Sequence, residues 1–160
     1  METQVYSFEE QKADGEAGER ALDAHFSRWF HIESANVWQQ RRGVDRIFHD
    51  LRDERSWLVE YKTDHTASRT GNAFVETVSV RTRTRRKPGW AASSVADWLV
   101  YYLPEDGLAY LIRMWDLRQS LRRWAALYPS RSIPNDGYHT QGLLVPLHEF
   151  EELAQQVISL

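Results

Sequence analysis

Cysteine is absent, so neither a disulfide framework nor a thiolate metal site can organise this chain, and a reducing, cytoplasmic setting is the expectation that follows. Long apolar runs are absent as well, which speaks against a membrane-spanning helix, and Met1 to Asp14 is polar and acidic where a secretory leader would be apolar. Lysine is scarce: Lys12, Lys62 and Lys87 stand alone among many arginines. The formal net charge of -3 excludes a generally basic coat, so attraction for a polyanion has to come from a local cluster. Internal repeats and low-complexity tracts are missing too. A chain of 160 residues with 42% hydrophobic and 27% charged content suits one domain, 1–160, able to bury a core.

What is present centres on two segments, Gly43-Val44-Asp45-Arg46-Ile47-Phe48 and Ser56-Trp57-Leu58-Val59-Glu60-Tyr61-Lys62-Thr63-Asp64. Each has the β-branched and aromatic content of a strand, and the polar Leu51 to Arg55 between them is short enough for a hairpin. Gly43 supplies the turn that leads into the first. Along the second, alternation puts Leu58, Glu60, Lys62 and Asp64 on one face and Trp57, Val59, Tyr61 and Thr63 on the other. Acids and a lysine on a central strand cost several kcal/mol each to bury, on the order of magnitude known for such groups, unless paired or bound to a cation. Chemistry is one reason to carry them.

Around this pair the order is helix, strands, helix, strand, helix, which makes the fold class α+β (mixed α/β), a central mixed sheet flanked by helices. Leu22, Phe26, Trp29 and Phe30 mark a helix from Glu16, with Glu16 and Glu19 either acids favoured by its dipole or, for Glu19, a group at the edge of the buried face. Asn36 to Gln40 reads as a short strand or extended entry, and His65 to Asn72 as a mobile polar loop. Ala73 to Val80 alternates as a third strand. Its Glu76 shares a face with Phe74 and Val78, as an extra site acid or an arginine's partner. Ala96 to Leu103 and Leu108 to Arg113 form a hairpin across Pro104 to Gly107, with Asp97 capping the strand entry. Leu117, Leu121, Trp124 and Tyr128 mark a helix, Pro129 to Gln141 a long loop or lid, Gly142 to Pro146 a last strand, and Phe150, Leu153, Ala154 and Val157 a closing helix. Between Arg81 and Lys87 lie five cations, Arg81, Arg83, Arg85, Arg86 and Lys87, with no acid; such a run is either a solvated face or a contact for a phosphate backbone.

An acid at the start of one strand and Glu-x-Lys late in the next resembles the PD-(D/E)xK nuclease superfamily, with its restriction-endonuclease-like and Holliday-junction-resolvase-like members. Asp45 matches the first acid, Glu60 the second and Lys62 the lysine, with residues 46 to 59 between the acids; Val44 stands where the motif's name has proline. The resemblance covers about Glu16 to Val145. It implies a magnesium-dependent endonuclease that hydrolyses phosphodiester bonds in DNA and leaves a 5′-phosphate, with Mn²⁺ tolerated. Asp45, Glu60 and the Tyr61 backbone carbonyl would hold the metal, Lys62 would position or activate water, and Glu19 would hold a second metal or its water. Arg81, Arg83, Arg85, Arg86 and Lys87 would contact DNA, and a homodimer would bring two sites to two strands. Two other readings stand beside it: a catalytically inactive DNA-binding module or subunit with the same fold, and an ordinary protein in which Glu60 and Lys62 are a same-face ion pair on an edge strand.

Overall fold

The computed structural model describes residues 8–160, so the first half of the polar Met1 to Asp14 tract lies outside the described residues. Helix α1 (Phe8–Phe26) buries Leu22 and Phe26 but stops there. Trp29 and Phe30, expected on the same helical stripe, lie beyond it: Trp29 is 47% exposed, and Phe30 opens strand β1 (Phe30–Ser34). The ring of Phe30 packs 5.0 Å from Phe48, an aromatic contact reached equally from a strand. Asn36 to Gln40, expected as extended, forms the single-turn helix α2 (Val37–Gln40). The cause is a capping box in which the Asn36 side chain accepts from the Gln39 amide and the Gln39 side chain from the Asn36 amide.

Strands β2 (Arg46–Asp50) and β3 (Ser56–Thr63) form the expected hairpin, Arg46 opposite Val59 and Ile47 opposite Leu58. Asp64 accepts the amides of Thr66 and Ala67 at 2.7 and 2.8 Å. That cap turns the expected polar loop into the short helix α3 (Ala67–Thr70). There follow β4 (Asn72–Arg81), β5 (Arg86–Pro88), α4 (Trp90–Ser93), β6 (Trp98–Leu103), β7 (Leu108–Arg113) and α5 (Met114–Leu127). The segment read as a lid is instead a hairpin, β8 (Ser130–Asn135) and β9 (Tyr138–Pro146), closed by Asp136 and Gly137 with Gly137 at φ 76. Its proline and serine content had pointed to a loop. Pro134 is tolerated because β8 is an edge strand, where a missing N–H breaks no ladder. The closing helix α6 (Leu147–Leu153) is shorter than expected, and Val157 falls in strand β10 (Gln156–Ser159), which pairs with β7.

The protein is therefore a mixed α+β fold in which a central mixed sheet, ordered β1-β2-β3-β6-β7-β10, is flanked by helices. Its β3 and β6 run parallel and lie in the middle, so β3 is central and not an edge. One face of this sheet packs on α1 through Leu22, Phe26, Phe48, Val59, Tyr61 and Val100. The other face packs on α5, α6 and a second, antiparallel sheet ordered β5-β4-β9-β8. Its core includes Leu99, Tyr101, Ile112, Trp124 and Phe150, with Trp124 and Phe150 stacked at 5.9 Å. Among the described residues, no helix is long and apolar enough to cross a membrane.

One buried acid ties two helices of this second core. Glu149 of α6 accepts both Arg123 guanidinium nitrogens, at 2.9 and 2.5 Å, and the Tyr128 hydroxyl at 2.5 Å. The Arg123 hydrogen bonds, aided by Tyr128 and opposed by burial, lower its pKa from 4.5 to about 2. A carboxylate depressed in the folded state stabilises it above the unfolded pKa and loses that contribution as pH falls. Urea midpoints should thus decline between about pH 4.5 and pH 2, and Arg123→Ala should flatten that decline. An unchanged pH profile in the variant would remove Arg123 as the cause.

Candidate functional site

Asp45 stands just ahead of β2, where the backbone is fixed from three sides. Gly43 sits at φ +77, a conformation that a Cβ disfavours, and its carbonyl accepts from the Ser94 hydroxyl at 2.7 Å. The Asp45 amide donates to the Val59 carbonyl at 2.9 Å, and its carbonyl accepts from Ala35 at 3.0 Å. Arg46 is the register partner of Val59, so the Asp45 amide bond to the same carbonyl puts Asp45 at an irregular step where β2 begins, next to the Glu60–Lys62 stretch of β3. The Asp45 carboxylate accepts the Tyr61 amide through Oδ2 at 2.8 Å. In an antiparallel pair a residue's N–H and C=O point to the same neighbouring strand, so the Tyr61 carbonyl is directed to the side where Asp45 stands.

Glu60 is only 2% exposed. Its Oε1 pairs with Lys62 Nζ at 2.8 Å, while Oε2 is buried and has no hydrogen-bond partner. Lys62 reaches the same place from two residues on, its ammonium 5.9 Å from the centre of the Trp90 ring. Burial by itself would lower the Lys62 pKa, but Glu60, Asp45 and Glu76 together outweigh it and hold the ammonium above its ordinary value. The same three carboxylates thereby mark one electrostatic cluster with Lys62 as its cation.

Glu76 of β4 is the fourth member. Burial raises its carboxyl pKa, against the opposing pull of Lys62 and of the Trp90 amide, which lies 3.4 Å from Oε1. Gly89 permits this approach of α4 to β4, since a Cβ there would stand 2.4 Å from the Glu76 carbonyl oxygen. Asp64, on the same strand face as Glu60 and Lys62, is engaged elsewhere: it caps α3 and accepts the Tyr101 hydroxyl at 2.5 Å. Asp97 accepts the Leu58 amide at 2.8 Å, in keeping with a cap at the strand entry.

Glu19 is not brought to this cluster. It bonds Arg46 Nη2 at 2.8 Å, and Arg46 shares its face with Val59 and Tyr61, on the α1 side of the sheet. There Asp23 accepts from Arg46 Nε at 3.0 Å and from the Tyr61 hydroxyl at 3.1 Å. Burial, with Asp23 beside it, raises the Tyr61 phenol well above its usual range. An open depression of about 560 Å³ also lies on this α1 side, lined by Asp23, His31 and Arg46 among others. No group of three or more acid or histidine side chains placed to hold a metal occurs among the described residues.

The basic run lies at the far end of β4. Arg81 closes that strand and donates to the Gln141 side chain at 2.6 Å, while a tight turn from Thr82 to Arg85 leads into β5. Arg83, Arg85, Arg86 and Lys87 are all exposed. The exposed His139 sits opposite Arg81 on β9. The Asp23–Arg46–Tyr61 group and the Ser94 bond to Gly43 escaped sequence reading, because the bonded partners lie 23 or more positions apart and no spacing announces them.

No family model matches the chain, and no curated protein matches it. A solved structure of a bacterial homing endonuclease, I-Ssp6803I, is similar over part of its length, with a TM-score of 0.49, 23% identity, and coverage of 68% of this chain and 72% of that one.

Proposed function

We propose that this chain is a divalent-metal-dependent nuclease of the PD-(D/E)xK type that hydrolyses phosphodiester bonds in DNA. The observation that carries the reading is Glu60: a carboxylate on a central strand, almost wholly buried, with one oxygen on Lys62 and the other without a partner. An incompletely satisfied buried anion is costly, and a cation removes the cost. Asp45, Glu60 and the Tyr61 carbonyl offer an all-oxygen donor set, the kind that Mg²⁺ takes and Mn²⁺ tolerates. When bound, such a cation supplies Lewis-acid stabilisation of the charge that develops on the scissile phosphate.

The chain's own groups divide the remaining work. Lys62 stays protonated at neutral pH because three acids outweigh its burial, so it acts as a donor that orients the attacking water or a phosphate oxygen, not as a base. Asp45, held at the entry to β2 by its bonds to Val59 and Tyr61, and Glu60 within β3 fix the donor set on rigid elements. Glu19 enters as a support of Arg46, the residue after Asp45, instead of as a ligand. The exposed cations from Arg81 to Lys87 hold the phosphate backbone. The product carries a 5′-phosphate, and two copies would serve the two strands.

The test is cleavage of plasmid, duplex, branched and single-stranded DNA with Mg²⁺, with Mn²⁺ and with EDTA. Cleavage with either metal that falls to background in EDTA is the expected result, and cleavage that persists in EDTA would overturn the reading. The position of Glu19 away from the cluster favours a second reading, a DNA-binding module without turnover. It predicts DNA binding indifferent to Mg²⁺ and no cleavage of any substrate.

A further inference from the structure

The second sheet carries more charge than its part in the core requires. Residues 72–89 and 129–146 hold six Arg or Lys and two acids, Glu76 and Asp136, a net of +4, against -7 for the rest of the chain. These residues include the two hairpin tips, β4–β5 and β8–β9, which lie side by side because Arg81 pairs in register with His139. Arg86, Arg81 and His139 form one row across three strands. Like charges directly opposed across strands, as Arg81 and Arg86 are, destabilise a sheet, and among the described residues no carboxylate forms an ion pair with either arginine. The row is therefore built at a cost that a polyanion would offset. Strand addition is a poor alternative use, since both edge strands contain proline, Pro88 and Pro134.

We infer that the two hairpin tips form one surface that takes the major groove of duplex DNA, an inference that rests on the nuclease reading for its substrate. Three features select this partner. A two-stranded ribbon fits the B-form major groove, about 12 Å wide, whereas the A-form major groove of RNA is too deep and narrow for side chains to read. Single-strand binders stack bases on aromatic platforms, but Tyr138 is the one aromatic residue on the described tips. The β8–β9 tip instead presents hydrogen-bonding side chains suited to base edges, Asn135 and Tyr138, beside the phosphate-holding Arg83 and Arg85 of the β4–β5 tip. Glu76 and Arg81 lie on the same strand five residues apart, so roughly 16 Å separates the carboxylate cluster from the start of the basic tip at about 3.3 Å per residue. The sheet thus serves as a ruler between the groove it occupies and the phosphate that is cut.

Binding is best read by fluorescence anisotropy in EDTA, which prevents metal-dependent cleavage, using a 30-base-pair DNA duplex, the same sequence as duplex RNA, and one DNA strand, where the length is about three helical turns. Duplex DNA should bind tightest, and methyl green, a major-groove ligand, should displace the protein where netropsin, a minor-groove ligand, does not. Arg83→Ala with Arg85→Ala should reduce the slope of log affinity against log salt by about 2. Asn135→Ala with Tyr138→Ala should weaken duplex binding about 10-fold at unchanged slope. Thermal melts should match the parent protein, because both tips are exposed. Displacement by netropsin, equal affinity for the single strand or RNA, or unaltered binding in both variants would overturn the inference. Cleavage assayed separately with metal keeps the two readings apart: groove binding without cleavage would overturn the nuclease and leave this surface standing, while cleavage without groove binding would do the reverse.

Discussion

Replacing Lys62 by alanine should abolish metal-dependent DNA cleavage, with a loss of about 10²- to 10⁴-fold or more, the range in which a positioned proton-handling or charge-stabilising group contributes. The same substitution has a structural cost. Glu60 is 2% exposed, and Lys62 is its hydrogen-bonded counter-ion at 2.8 Å, so removing the lysine orphans a buried carboxylate. Breaking a buried pair from one side costs about 3–5 kcal/mol. For a chain of this size, each kcal/mol lowers Tm by about 2–4 °C. The double variant Glu60→Gln with Lys62→Met separates the two effects, because it removes both charges and keeps the volume. It should recover most of the lost stability and none of the cleavage. Recovery of cleavage along with stability would instead establish Glu60 and Lys62 as a structural ion pair. Thermal shift gives a readout free of activity: millimolar Mg²⁺ should raise the Tm of the parent protein, as any ligand specific to the folded state does, and leave that of Glu60→Gln unmoved.

The second large effect is expected at Gly43. Substitution by alanine forces a side chain into a backbone at φ +77 and places its Cβ 2.7 Å from the Ser94 Cβ and 2.9 Å from the Ser94 Cα. The first cost is about 1–3 kcal/mol for a non-glycine residue in such a conformation. The second cannot be relieved by a rotamer change, since one of the clashing atoms belongs to the backbone. Either the turn moves or the α4–β6 connection moves, and both carry the site: Asp45 lies two residues along the chain, and Ser94 is bonded to the Gly43 carbonyl. Gly43→Ala should therefore lower Tm by several degrees and depress cleavage more than the stability loss explains, with weaker magnesium binding as the cause. Gly71→Ala is the matched control, for it shares a positive φ of 74 but has nothing within 4 Å of its Cβ position and stands apart from the carboxylate cluster. Equal losses of cleavage in the two variants would mean that backbone strain alone, not displacement of Asp45, accounts for the effect.

Legibility in the sequence followed the range of the interaction. Alternation along Ser56 to Asp64 placed Glu60 and Lys62 on one face, and the short polar link placed Asp45 within reach, since both are properties of residues adjacent in the chain or joined by one hairpin. Glu76 was visible as an acid on an apolar strand, although not what it faced. Glu19 shows where such reading ends: helical spacing identifies a residue near the buried stripe but not which face of the sheet the helix covers. Here α1 covers the face opposite Glu60, and Arg46 receives the acid. Composition misled at Pro129 to Gln141, because Pro134 is compatible with a strand only at an edge, and edge position is a property of the assembled sheet.

By itself, then, the sequence determined the α+β class, the central hairpin and the shared face of two acids and a lysine, all of which follow from local periodicity and turn chemistry. Only the tertiary structure decided that Glu76 joins that cluster, that Glu19 and Asp64 are held elsewhere, and that the basic run lies beside a second hairpin on a common sheet. Those outcomes depend on which surfaces meet when distant segments bury their apolar faces together, and no spacing along the chain encodes that.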